Sequence, residues 1–426
     1  MELARSLAPF RHRAFARVWI GAFVSNVGTW METIAVGVLV TEQTDQALWG
    51  GLAMVAGFVP MAVLSPVGGA LADRIHRRQL LLMTVSGQLV MATLLTILAI
   101  ADVTPPGLVV LIVFGTGCVQ ALGFPAYQAI LPDLVPTDDL VGAVALSSAQ
   151  WNLGRVVGPL AAGVAIAVGG YPWAFGINAA SFVAVIVAIA PLRLPRPSGR
   201  SHPSILGSIR EGLRFVGRDP GLRVVVGYMA LNTLLAAPFI ALVAPMAVKV
   251  FDSGAGGTAA LVTAQGLGAV VMALSLGVLA NRFGPRRVMI AVLWLLPPAL
   301  ALYGLAPTLP VAVVAIFIVG FLYLGALSSF TSIGQLRSPS HVRGRVMSTL
   351  MVILGTLYPL GSLIQGATAD RVGLRTTTVA AATILAGVLL AARTARPALA
   401  DELDGPAAEG ALIQDGDEGT SHDHRT

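Results

Sequence analysis

Lysine is almost missing from this chain. Of 27 basic residues one is lysine, Lys249, and the rest are arginine. A nucleotide-binding P-loop sets its lysine behind a glycine-rich turn. Lys249 stands in Ala247-Val248-Lys249-Val250, without such a turn, so a P-loop ATP pump is excluded. There is one cysteine, Cys118, in an apolar stretch; it allows no intramolecular disulfide and reads as a small core residue. HExxH and GxSxG motifs are absent, as are paired carboxylates within an apolar run, which removes the usual signatures of a membrane-embedded hydrolase. Charge is scarce at 11% of residues, against about 25% in soluble domains. The formal charge of +6 sits in a few loops and is no nucleic-acid signal.

What fills the chain is apolar: 56% of residues are hydrophobic, and windows such as Leu52 to Leu71 and Gln79 to Ala101 carry no charge. About 20 such residues, at 1.5 Å rise, cross a ~30 Å hydrocarbon core as a helix. The segments are far longer than the roughly 10 residues of a barrel strand and do not alternate, so helices are the one solution. The pattern predicts an all-α integral membrane protein of twelve spans, at 17–40, 48–72, 79–101, 107–130, 141–168 and 173–192, then 222–250, 257–281, 287–305, 308–335, 344–369 and 374–394. The first apolar stretch is too long for the core of a signal peptide and leads straight into a second, so no cleavable leader is expected.

The predicted organisation is a six-helix half at 1–192, a linker at 193–221, a second six-helix half at 222–394 and an acidic, disordered tail at 395–426. With the N-terminus inside, 23 of the 27 basic residues fall on the inner side and only Lys249, Arg371 and Arg375 outside, with Arg155 within a span. The positive-inside rule therefore expects both termini in the cytoplasm. In the linker, Ile205, Ile209, Leu213 and Val216 recur at helical spacing, with Arg210, Arg214 and Arg218 on another face. They predict a helix on the inner membrane surface, near anionic headgroups or simply exposed. In the tail, His422 and His424 read as solvated side chains, and no metal or cofactor is expected.

Two loops repeat one signature. Gly69-Ala70-Leu71-Ala72-Asp73-Arg74-Ile75-His76-Arg77-Arg78 follows the second span, and Gly277-Val278-Leu279-Ala280-Asn281-Arg282-Phe283-Gly284-Pro285-Arg286-Arg287 follows the eighth. The chain is thus a duplication. Six spans, a linker, six spans and this repeated loop resemble the major facilitator superfamily of secondary transporters, over about residues 10–395. The first loop departs at His76, where that family usually has glycine, and the second replaces the aspartate by Asn281. The resemblance implies a gating role for Gly69, Asp73, Arg74, Arg77, Arg78, Gly277, Asn281 and Arg282, with Asp73 pairing to the other half; the alternative is a merely topogenic basic loop. Gly154-Arg155-Val156-Val157-Gly158-Pro159-Leu160-Ala161-Ala162-Gly163 is similar to the fifth-span pattern of antiporters and exporters, with Gly154, Gly158, Pro159 and Gly163 at its key positions. Small residues at this spacing equally serve close helix packing. No arginine stands between Leu108 and Ile130, where many proton-coupled exporters of the superfamily carry one.

A narrower resemblance, to the bacterial branch of enterobactin-type siderophore exporters and macrolide efflux proteins, rests on Ser25-Asn26-Val27-Gly28-Thr29-Trp30-Met31, on Pro125 to Val135, on Glu211 to Val216 and on Arg343 to Ser348. It implies a plasma-membrane exporter of a drug or siderophore-like molecule.

Ionisable groups inside a membrane are costly and mark function. Glu32 in the first span and Arg155 in the fifth both lie roughly 21–23 Å from the inner end at 1.5 Å per residue. They are the proton-coupling candidates, as a pair; a structural ion pair is the alternative. Asn26, Thr29, Gln120, Gln128 and Asn232 are candidates to line a cavity, or to bond neighbouring helices. Pro238 and Pro245 in the seventh span and Pro297-Pro298 in the ninth mark places where helices can bend. The expectation is a proton-driven, monomeric exporter of a small amphiphilic molecule, with an importer on the same fold or a membrane enzyme as alternatives; its partners are the substrate, the bilayer and protons, not nucleic acid.

Overall fold

The computed structural model describes residues 8–192, 194, 213–396 and 403. Most of the predicted linker helix and nearly all of the acidic tail fall outside these; Leu213 to Arg218 are helical. By the orientation the arginines predict, the inner ends are those beside the basic loops and the outer ends the opposite ones.

The first half contains α1 (Arg13–Thr44), α2 (Ala47–Arg74), α3 (Arg77–Ile100) and α4 (Pro106–Leu134). The stretch Leu140–Ile189 then holds two spans, α5 (140–168) and α6 (171–189), broken where Gly169 (φ −144°) and Gly170 (φ +71°) leave the helical region. A left-handed φ is open to glycine without a Cβ penalty, so the outer turn between these spans is two residues long. The second half begins at α7, which runs from Pro220 to Val250. It is followed by α8 (Gly254–Phe283), α9 (Pro285–Leu305), α10 (Leu309–Arg337), α11 (Ser340–Val372) and α12 (Leu374–Ala395). Twelve spans result, as the apolar pattern predicts.

The α7 span is irregular. Two π turns, Asn232–Ala236 and Met246–Val250, flank the short helix Phe239–Pro245. Pro238 and Pro245 remove backbone donors there, and the wider i→i+5 turns re-pair the carbonyls; Ala237 N–H bonds Asn232 O at 2.9 Å. By contrast, α9 continues as one helix through Pro297 and Pro298.

The apolar packing divides the molecule. One core runs through the second half and across the outer part of the first, joining Leu39, Val40 and Ala47 to Leu242, Ala244 and Ala247. The inner end of the first half has its own core around Phe15, Leu80, Ile130 and Phe182. A small third cluster, Val216, Leu222 and Val346, sits at the inner end of the second half. On the outer side the two halves are therefore one packed body.

Candidate functional site

The seam between the halves is built from α2 against α11 and α5 against α8. At its outer end α11 presents Asp370, which accepts hydrogen bonds from the backbone N–H groups of Ala47 (2.6 Å) and Leu48 (2.9 Å), the first residues of α2. A carboxylate at a helix N-terminus satisfies orphan donors and meets the positive end of the helix dipole. Below it the helices touch: a Cβ at Gly51 would lie 2.8 Å from the carbonyl oxygen of Ser362. Lys249 of α7 adds a contact to Asp45 of the first half, Nζ to Oδ1 at 3.2 Å and to the main-chain oxygen at 2.6 Å. Toward mid-membrane the rings of Phe58 (α2) and Tyr358 (α11) meet edge to face at 5.5 Å.

The glycines of the fifth-span signature act as packing surfaces. A Cβ at Gly158 would lie 2.5 Å from Trp30 Cβ and 2.8 Å from Val27 O, and one at Gly154 would lie 2.9 Å from Asn26 Cβ. Small residues here let α5 lie directly on α1. Gly163 faces the other half, against Ala259 of α8, and Pro159 stands inside the helix.

At the midplane the expected Glu32–Arg155 pair is not formed. Glu32 is 7% exposed and accepts a 2.6 Å bond from Asn178 Nδ2 on α6. Arg155 instead lies over the ring of Trp30, 5.5 Å from its centroid. Trp30 and Glu32 are two residues apart, hence about 200° apart around a helix. One side chain turns to α5 and the other away from it to α6. Depth alone misled the pairing. Trp30 also meets Trp151 edge to face at 6.1 Å. From the second half, the phenols of Tyr323 (α10) and Tyr358 (α11) are close enough to couple electrostatically to the guanidinium, and Tyr323 packs on Phe239 of α7 at 5.6 Å. Helices of both halves therefore converge on one arginine.

The remaining candidates scatter. Asn26, Thr29 and Gln120 are half-buried, and Gln128 is exposed. Asn232 is fully buried, with neither side-chain polar atom partnered, so it lines no open cavity here. In the first loop Arg77 turns back into its own half, bonding Asp133 at 2.9 Å and Ala129 O at 3.2 Å. Arg74 is exposed, Asp73 is engaged in a contact of its own, and Arg78 is half-buried. A Cβ at Gly69 or Gly277 would meet nothing within 4 Å; Asn281 and Arg282 are exposed, the latter over the Phe283 ring.

Two features escaped the sequence reading. Asp370 stands in Gly366-Ala367-Thr368-Ala369-Asp370-Arg371, a third copy of the Gly-x-x-Ala-Asp-Arg signature. A search for the loop pattern at the outer ends would have found it. The other is Asp219, wholly buried, which grips Arg337 at the inner end of the second half, Nε to Oδ1 at 2.9 Å and Nη2 to Oδ2 at 3.1 Å.

Comparison with known proteins decides the family. The family model described as transmembrane secretion effector matches residues 4–410. The chain belongs to this family of the major facilitator superfamily. Relatives of this secretion effector include the multidrug efflux pump Tap of Mycolicibacterium fortuitum, 28% identical over 85% of this chain and 91% of that one. Another is the enterobactin exporter EntS of Shigella boydii, 30% identical over 79% of this chain and 80% of that one. Among solved structures, a bacterial homologue of the lysosomal transporter Spinster, inward-facing and occupied, superposes with a TM-score of 0.72 at 16% identity, over 96% of this chain and 98% of that one. A D-xylose–proton symporter gives 0.67 at 13% identity, covering 87% and 96%. These likenesses show the fold. The chain is a multi-pass membrane transporter of small molecules rather than an enzyme.

Proposed function

We propose that this transporter is a proton-driven exporter of a small amphiphilic molecule, drug or siderophore-like, that works by alternating access. It acts as a monomer in a bacterial cytoplasmic membrane with both termini inside. The observation that carries the reading is the seam. The two halves join at the outer end through a shared apolar core, close helix contacts and polar groups at the helix ends. Such contacts can part without unfolding either half, and the inner ends keep separate apolar cores. That is the form expected of one limb of a rocking cycle. In the other limb Asp73 and Arg74 would hold the inner ends, Asp73 against a helix N-terminus or a cation of the second half. Export is favoured by the relatives, a multidrug efflux pump and enterobactin exporters, and by the fifth-span glycines.

Glu32 is assigned the proton on its own, without Arg155. Its neighbour Asn178 donates to the carboxylate, and the same amide, turned over, offers its oxygen to the protonated acid. Both protonation states are thus accommodated at one site. The test is uptake into inverted membrane vesicles under an imposed pH gradient, with a panel of fluorescent drugs and siderophores. Gradient-driven uptake should vanish in Glu32→Gln, while exchange of substrate down its own gradient persists. Uptake unchanged by the substitution would remove the role of Glu32 and leave export standing. No uptake of any compound, with accumulation in intact cells, would reverse the direction of transport.

A further inference from the structure

Arg155 has an unmet demand. A guanidinium at mid-membrane depth needs an anion or a set of acceptors. Arg155 is half-buried, and no carboxylate pairs with it among the described residues; Glu32, at similar depth, is held by Asn178 on the other side of α1. What surrounds the charge is aromatic: the face of Trp30 at 5.5 Å, and Tyr323 and Tyr358 of the opposite half. Ring faces attract a cation and offer apolar surface, but they do not neutralise it. The indole Nε1 of Trp30 is enclosed and has no acceptor among the described residues. The place therefore lacks one anion, and aromatic side chains of both halves lie in its electrostatic range, Tyr323 and Tyr358 buried in this state.

We propose that Arg155 is the recognition point for the anionic head of the transported molecule, a carboxylate or ionised phenol on an aromatic amphiphile. Trp30, Tyr323 and Tyr358 pack against its apolar body. This rests on the transporter reading and narrows it to a substrate class. A solute bridging α1 and α5 of one half with α10 and α11 of the other would touch both moving bodies, which a ligand must do to bias their equilibrium. An arginine, unlike lysine, holds its charge under these conditions and presents a planar fork to a carboxylate.

The test uses the full chain in lipid nanodiscs and three probes that differ in head group alone: 1-pyrenebutyric acid, 1-pyrenebutanol and 1-pyrenebutylamine. Binding is read by energy transfer from protein tryptophans, with empty nanodiscs subtracted. The acid should bind about tenfold or more tighter than the alcohol, the scale of a charge-assisted hydrogen bond, and the amine most weakly. Arg155→Gln should abolish the preference for the acid while keeping the alcohol's affinity, which shows that the variant is folded. Arg155→Lys should keep part of it. Equal affinity for the three probes in the native chain, or an acid preference untouched in Arg155→Gln, overturns the proposal. So does loss of the preference on adding millimolar chloride, which would mark an inorganic-anion site. Because binding is read without a gradient, these outcomes are independent of the vesicle experiment; a failure of export there leaves the head-group preference measurable.

Discussion

Among the described residues two carboxylates cap helix N-termini, in different company. Asp219 accepts the N–H of Leu222 at the start of α7 and is clamped by Arg337, with no exposed surface. The bonds of Asp219 run to Leu222 and Arg337, both of the second half, and to Phe215 just before it, while Arg337 also donates to the carbonyl of Leu403. Asp370 caps α2 through two N–H groups across the seam, on an exposed residue, and no arginine grips it among the described residues. The same chemistry serves opposite ends. A fully neutralised buried cluster holds elements together permanently, because losing one member strands a charge. A capped N-terminus at a wet edge is worth about 1 kcal/mol, and water can replace it when the halves part. The halves are built to stay whole and the seam to separate.

The largest effect should come from breaking the first site. Arg337→Met removes the guanidinium that holds buried Asp219 by two bonds, a loss of about 3–5 kcal/mol. The unfolding midpoint of the detergent-solubilised protein should fall steeply. Asp219→Leu combined with Arg337→Met should recover part of that loss, because the two opposite charges are removed together. A single variant as stable as the parent would mean that the pair contributes nothing to the half.

Much of this was legible in the sequence, and the parts that were not share a cause. The spans follow from apolar run length, and their orientation is expected from the arginines; both are local properties. The depth of Glu32 and Arg155 was also readable, since it needs only a residue count. Their partners were not, because the two-residue step from Trp30 to Glu32 turns the side chain to another helix. Tyr323 and Tyr358 reach Arg155 only through the seam, which no local pattern encodes. Asp370 was visible as a motif but lay at the end where no latch was sought. Asp219 looked like one more polar linker residue, although Pro220 behind it is the usual first residue of a capped helix.

A smaller effect, again within one half, comes from Gly158→Ala. The added methyl would meet Trp30 Cβ at 2.5 Å and Val27 O at 2.8 Å, so α5 must lift from α1. Overpacking of this kind costs about 1–3 kcal/mol. Gly69→Ala, with nothing within 4 Å, is the matched control and should leave the midpoint in place. If both substitutions behave alike, the fifth-span glycines are not packing surfaces.

The smallest effect on stability should come from Asp370→Asn, and it separates the two regions most cleanly. The amide keeps the shape but loses the charge that faces the α2 dipole and one of the two acceptors, its NH2 standing against an N–H of α2, so the outer closure weakens by about 1 kcal/mol. That is too little to move the unfolding midpoint of either half. It is enough to change how often the outer ends part, up to roughly fivefold by the Boltzmann factor. Ser362, fully buried on α11 beside Gly51, reports that opening once replaced by cysteine in a chain carrying Cys118→Ser. A membrane-impermeant maleimide added from outside should label Ser362→Cys severalfold faster when Asp370→Asn is also present, with the unfolding midpoint unchanged. Faster labelling with a lowered midpoint would mean that Asp370 holds the fold rather than the seam, and unchanged labelling would remove it from the outer closure.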